Sequence, residues 1–69
     1  MQLSISNSSD KPLYEQLYVQ IKSKIMSGEL KEGEALPTIR SLARALKISV
    51  ITTSRAYGDL ERDGYINTV

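Results

Sequence analysis

Between residues 38 and 58 the chain carries Arg40, Arg44, Lys47 and Arg55 and no acidic residue. Interleaved with them are the hydroxyls of Ser49, Thr52 and Ser54 and the β-branched pair Val50-Ile51. Guanidinium, ammonium and hydroxyl groups gathered on one face are the expected footprint of a phosphate-binding surface. The same run is compatible with a solvated helix face, and charge alone does not separate the two. Acidic stretches flank the basic block. Glu29, Glu32 and Glu34 stand against Lys31 on one side, and Asp59, Glu61 and Asp63 against Arg62 on the other. The net charge of +1 therefore hides a patterned distribution.

Other chemistry is excluded by what is missing. The 69 residues contain no His and no Cys. That removes the commonest general base and metal ligand, the thiol nucleophile and the disulfide. Glu29, Glu32 and Glu34 form a compact carboxylate group, but without partner ligands they read as a solvated loop rather than a metal site. No catalytic, metal or cofactor residue is expected. A chain of this size makes one small domain that buries only about 60% of its unfolded surface. No apolar run approaches the roughly 20 residues of a membrane span. Met1-Gln2-Leu3-Ser4 lacks the basic region of a secretory signal. The expectation is a cytoplasmic domain without membrane contact.

The elements that must position the basic block follow from periodicity. Residues 1–11 are a polar, Ser-rich arm in which Leu3 and Ile5 alternate with polar residues, as in a short strand or extended segment. Pro12 suits a helix start, and Leu13, Leu17, Ile21 and Ile25 then recur every four residues, with Tyr14 and Tyr18 widening the stripe. This predicts a first helix over 12–27, closed by Gly28. Val19 and Met26 lie on its other side as a candidate second contact surface. Residues 28–37, with two glycines and a proline, are a loop that Leu30 and Leu36 pin to the core; Ala35-Leu36 has the character of a very short strand.

Thr38 is a hydroxyl cap for a second helix over 39–46, whose Ile39, Leu42, Ala43 and Leu46 have helical spacing. After a tight turn at Lys47-Ile48, Ser49 caps a third helix from Val50 to about Asp63. Thr53, Ala56, Tyr57 and Leu60 form its inward face. Gly64 ends it, and Tyr65–Val69 alternates as a strand that needs a partner.

Two short helices joined by so tight a turn make a helix-turn-helix. Ala43 is small enough for the third helix to cross closely, with Leu42, Leu46, Ile48, Thr53 and Ala56 filling the angle. The N-terminal end of the third helix then points outward, in the geometry that enters a DNA major groove. Ile51, Arg55, Gly58 and Arg62 lie opposite its buried face, flanked by Val50, Thr52 and Ser54. Val50 and Ile51 have the chemistry to contact thymine methyls; Val50 could instead fold back onto the core as part of the cap. Ser49 and Thr52 can donate to phosphate, with a capping role for Ser49 besides. Arg40 and Arg55 can reach phosphate or guanine, and Arg44 and Lys47 either touch phosphate or solubilise the surface.

The segments P-L-Y-E-Q-L (12–17), S-G-E-L-K-E-G-E-A-L-P-T-I-R-S-L-A (27–43) and R-A-Y-G-D-L-E-R-D-G-Y-I (55–66) resemble the DNA-binding domain of the GntR family of bacterial transcription regulators. The stretch I-S-V-I-T-T (48–53) is most similar to the YtrA-like branch. The resemblance implies a mostly α winged helix-turn-helix: three helices plus a small antiparallel sheet over residues 12–69, preceded by the arm at 1–11. Tyr65–Val69 would be the first wing strand, and the wing's tip and return strand are not in this chain. It also implies double-stranded operator DNA as partner, a palindromic site, a homodimer in the full-length protein and, usually, repression. The family's DNA-contacting Arg maps to Arg40, its phosphate-touching cap to Ser49, and the Thr three residues on to Thr52. Three positions depart from the pattern. Val50 and Ser54 stand where basic residues are common, which implies a different operator, and Lys47 stands where Gly is frequent, which implies a non-Gly residue at positive φ. Two rival readings are a winged helix that binds protein, and the DNA-binding part of a fusion with an aminotransferase-like domain.

Overall fold

In a computed structural model, which describes residues 3–30 and 36–66, the chain forms three helices. They are α1 (Leu13–Met26), α2 (Ile39–Leu46) and α3 (Val50–Arg62). α3 lies at the centre and packs against both α1 and α2. Its Thr53, Ala56, Tyr57 and Leu60 are buried, facing Leu17 and Ile21 of α1 and Leu42 and Ala43 of α2. Leu17, Ile21 and Leu60 have no exposed surface. Burial of each such side chain contributes about 1.5–3 kcal/mol. Leu30 is buried from the loop after α1, and Leu36, Leu46 and Ile48 pack against the same core. The inward stripes expected of the three helices are thus the ones that pack, except that Leu13 of α1 is half-buried and stands outside the core cluster.

The helix ends show why the elements stop where they do. Pro12 is the N-cap of α1, so the helix begins one residue later than expected; it also ends one residue earlier, at Met26, with Ser27 as C-cap. α2 and α3 both close in paired terminal bonds. Ile48 N donates to Ala43 O (3.0 Å) and Lys47 N to Arg44 O (3.3 Å); Tyr65 N donates to Leu60 O (2.9 Å) and Gly64 N to Glu61 O (3.0 Å). This closure needs a left-handed residue. α3 supplies Gly64 at φ 83°, whereas α2 supplies Lys47 at φ 58°, the non-Gly left-handed residue anticipated from the sequence.

The sheet is not seen. Among the described residues there is no strand. Leu3–Ser6 run extended along α1, and α1 provides no backbone edge to pair with. Instead two glutamine amides grip the arm. Gln16 accepts from Ser6 N (2.8 Å) and donates to Ser6 O (2.9 Å). Gln20 accepts from Ser4 N (2.8 Å) and donates to Ser4 O. Each side chain stands in for the neighbouring strand that is not there. At the other end Tyr65 and Ile66 continue the helix-closing bend and pack on the core. The rest of the strand expected over 65–69 lies outside the described residues, as does Ala35.

Candidate nucleic-acid interface

Three residues, Lys47, Ile48 and Ser49, join α2 to α3. Both helices open on hydroxyl caps. Thr38 Oγ1 accepts from Ser41 N (3.0 Å), and Ser49 Oγ accepts from Thr52 N (3.0 Å). Ser49 also donates to Thr52 Oγ1 (2.9 Å), so its hydroxyl proton is used within the cap. Thr53, fully buried, donates to Ser49 O at 3.1 Å and so satisfies its hydroxyl within the first turn. The start of α3 is stiffened from inside while its other face stays open.

That open face carries the expected residues. Ile51 is 81% exposed and Val50 47% exposed, so Val50 does not fold back as a buried cap residue. Arg40, Arg44, Lys47, Ser49, Ser54 and Arg55 are exposed, and Thr52 is half-buried. Arg40 and Arg44, one turn apart on α2, line a shallow open depression with Thr38, Ser41 and Ala45. Among the described residues none of Arg40, Arg44, Lys47 and Arg55 makes an ion pair. Arg62 does. Although it lies on the outward side of α3, it is bound to Asp59 (3.2 Å) and Asp63 (3.1 Å), which sets it apart from the other arginines.

Two tyrosine hydroxyls fix the frame behind this face. Tyr57, 5% exposed, donates to Pro37 O at 2.6 Å and so holds the segment that leads into Thr38 and Arg40. Burial pushes its pKa above the usual phenol value. Tyr18 of α1 donates to Asp63 Oδ2 at the end of α3. That bond, with burial and the Asp63 charge, raises the Tyr18 pKa to about 12. The Arg62 hydrogen bond, seconded by that from Tyr18, holds the Asp63 carboxyl below its ordinary value. The Tyr18 and Tyr65 rings meet edge to face at 6.4 Å.

One contact has no counterpart in the sequence reading. The Arg55 guanidinium carbon lies 3.7 Å from the centroid of the Tyr14 ring. By spacing Tyr14 belongs to the core stripe of α1, and spacing gives no sign of this contact. Of the loop carboxylates, Glu29 is engaged by Lys24 at 3.3 Å, and Glu32 and Glu34 lie outside the described residues. No described helix is long and apolar enough to cross a membrane.

A helix-turn-helix with this cap arrangement and basic face defines a class of regulatory DNA-binding fold, and comparison with known proteins gives the family. The family model of bacterial regulatory proteins of the gntR family matches residues 13–69, and the chain belongs to that family. The HTH-type transcriptional repressor YtrA of Bacillus subtilis is 39% identical over 67 residues, which are 97% of this chain and 52% of that protein. The uncharacterised HTH-type transcriptional regulator YdeL of the same organism is 42% identical over 62 residues, 90% of this chain but 13% of YdeL. In structure, YtrA from Sulfolobus acidocaldarius, a GntR-family transcription factor, superposes with a TM-score of 0.92 at 39% identity, covering 97% of this chain and 71% of that one. The chain thus spans about half the length of YtrA and a small part of YdeL.

Proposed function

We propose that residues 12–69, preceded by an arm whose Ser4 and Ser6 are gripped by α1, form the DNA-binding domain of a transcription regulator that inserts α3 into the major groove of double-stranded DNA. The observation that carries this reading is the outward face itself. Arg40, Arg44, Lys47 and Arg55 keep their charge unpaired among the described residues, and the exposed Val50 and Ile51 stand at the start of α3. Exposed β-branched residues beside unpaired cations suit thymine methyls flanked by phosphates. Thr52 adds a hydroxyl near phosphate that the Ser49 cap holds in place, and Ser54 adds a polar group one turn into α3.

The name of YtrA as a repressor, and the membership of the family, support repression as the mode of action. A palindromic operator, a homodimeric acting species, a cytoplasmic location and a wing built from residues 65–69 onward belong to the same proposal. A fusion with an enzymatic domain is a property of the whole polypeptide and leaves the reading of this domain unchanged.

Fluorescence anisotropy with a labelled duplex, across a salt series, tests the reading. Four charged contacts imply a log–log salt slope of roughly −3 to −4 for one domain. Affinity that is absent or indifferent to salt would instead favour a winged helix that binds protein.

A further inference from the structure

We infer that Tyr14 is a positioning residue for DNA binding: its ring face holds the Arg55 guanidinium so that the donors at the guanidinium's edge meet a backbone phosphate. The inference rests on the proposed function. It starts from a contrast between two arginines on the same outward side of α3, seven residues apart. Arg62 is held by carboxylates, at 3.2 Å from Asp59 and 3.1 Å from Asp63. Those oxygens restrain it, and they also neutralise it and occupy its N–H groups. Arg55 is held by a ring at 3.7 Å, and makes no ion pair among the described residues.

An aromatic face restrains a guanidinium without cancelling its charge, because the attraction is to the ring quadrupole. The five N–H donors lie in the guanidinium plane and project past the edge of the ring, so stacking leaves them open to a planar or tetrahedral oxyanion. A long side chain fixed in advance loses less rotamer freedom when it binds. Arg55 also lies one turn after Ile51, so a phosphate gripped there would set the depth and angle at which Ile51 enters the groove. Tyr14 is half-buried on the second residue of α1, and α1 packs against α3. The first turn of α1 thereby contributes to the DNA-facing surface through Arg55, without an anion contact of its own.

The test is a double-mutant cycle on the 69-residue chain, read by anisotropy with a labelled mixed-sequence duplex of about two helical turns and by the salt slope. Tyr14→Leu keeps an apolar side chain of smaller volume and removes the ring; it should weaken binding about two- to fivefold. Tyr14→Phe keeps the ring and should bind as the unaltered chain does. Arg55→Gln should weaken binding and make the salt slope shallower by about 0.9. In the Arg55→Gln background, Tyr14→Leu should cost nothing further. An equal loss from Tyr14→Leu in both backgrounds overturns the inference, as does a Tyr14→Phe chain as weak as Tyr14→Leu. Should Tyr14→Leu melt by circular dichroism below the assay temperature, Arg55→Lys replaces it. Lysine keeps the charge and cannot lie flat on the ring, so reduced affinity with an unchanged salt slope supports the inference, and full affinity overturns it. If the unaltered chain shows no salt-dependent affinity for duplex DNA, the proposed function falls and this inference with it. Salt-dependent binding without coupling between Tyr14 and Arg55 removes this inference alone.

Discussion

Lys47 separates the stability of the domain from its affinity for DNA, and substituting it should move the two in opposite directions. The residue closes α2 at φ 58° and ψ 44°. A side chain in this left-handed region costs roughly 1–2 kcal/mol, because Cβ crowds the following carbonyl oxygen. Glycine avoids that crowding but loses about 0.5–1 kcal/mol more backbone entropy on folding. Lys47→Gly should therefore stabilise the domain by about 0.75 kcal/mol at the midpoints of these ranges, since the bonds from Lys47 N and Ile48 N to Arg44 O and Ala43 O need no side chain. In a domain this small, that is roughly 3–6 °C in melting temperature. Lys47→Ala is the control. It removes the same charge and keeps the crowded Cβ, so its stability should stay within about 0.5 kcal/mol of the unaltered chain. Both variants lose one phosphate-seeking cation, so both should bind duplex DNA more weakly, with a salt slope shallower by about 0.9. Chemical denaturation and anisotropy on the same three proteins decide the matter. A Lys47→Gly chain no more stable than Lys47→Ala would refute the account of the helix end. Two variants with undiminished affinity would remove Lys47 from the interface.

Four further outcomes are expected. Tyr57→Phe deletes the 2.6 Å bond to Pro37 O and should cost about 0.5–1.5 kcal/mol of stability in urea; an unchanged midpoint would show that the bond does not tether the segment before α2. Arg40→Ala should weaken operator binding by about 1–3 kcal/mol while the circular dichroism spectrum is preserved; unaltered affinity would take Arg40 out of the interface. If Ile51, 81% exposed, reads a thymine methyl, replacing the matching thymines by deoxyuridine should weaken binding of the unaltered chain but not of Ile51→Ala; an equal effect on both contradicts the contact. Asp63, bonded by Arg62 and by Tyr18, should give stability a pH dependence at both extremes. Tyr18 titrates at about 12 in the fold against 10.0 ordinarily, so its contribution is complete below pH 10 and is lost as the pH rises through 12. Asp63 titrates below its ordinary 3.8, so its contribution is present above that pH and is lost as the pH falls through the lower value of the folded state. Urea midpoints across pH should show Tyr18→Phe with a flatter alkaline limb than the unaltered chain, and identical limbs would contradict the assignment.

The parts of this fold that were legible are those encoded by near neighbours. α2 was bounded correctly because Thr38 announces its start and because Lys47-Ile48 leaves no room for a longer helix before Ser49 caps α3. The inward faces were legible because a spacing of three and four residues fixes which side of a helix meets the core. Spacing says nothing about which residue of another helix is met. Tyr14 fits the α1 stripe whether or not Arg55 lies over it, and that contact depends on how α1 and α3 cross. Gln16 and Gln20 likewise look like solvated helix positions until the arm is seen to lie beside them. Leu3 and Ile5 leave a short strand and an extended arm both open, and an arm is what lies on α1, for a related reason. Alternation reports which side chains turn inward, and here Leu3 does pack on the core, but a strand also needs a partner backbone, which one segment cannot reveal. Arg62 shares the outward side with Ile51 and Arg55, as its helical phase requires, but phase says nothing about its pairing with Asp59 and Asp63 in its own segment.

The groups that would touch DNA and the groups that hold α3 in place are almost entirely different residues. Ile51 and Ser54 are exposed, while Thr53, Ala56, Tyr57 and Leu60 on the same helix are buried. Two hydrogen bonds join α3 or its flank to the rest of the frame. Tyr57 ties the middle to Pro37 and Tyr18 ties the end to α1 through Asp63, while Thr53 secures the first turn from within by donating to Ser49 O. Such tethers set the direction of α3 relative to Arg40 on α2 and Tyr14 on α1. An outward residue can then change the DNA sequence preferred with little effect on folding, since surface substitutions rarely move stability by more than about 0.5 kcal/mol. This is the physical opening through which Val50 and Ser54 can occupy positions that the family often fills with basic residues. The frame makes no demand on either side chain, since both are exposed.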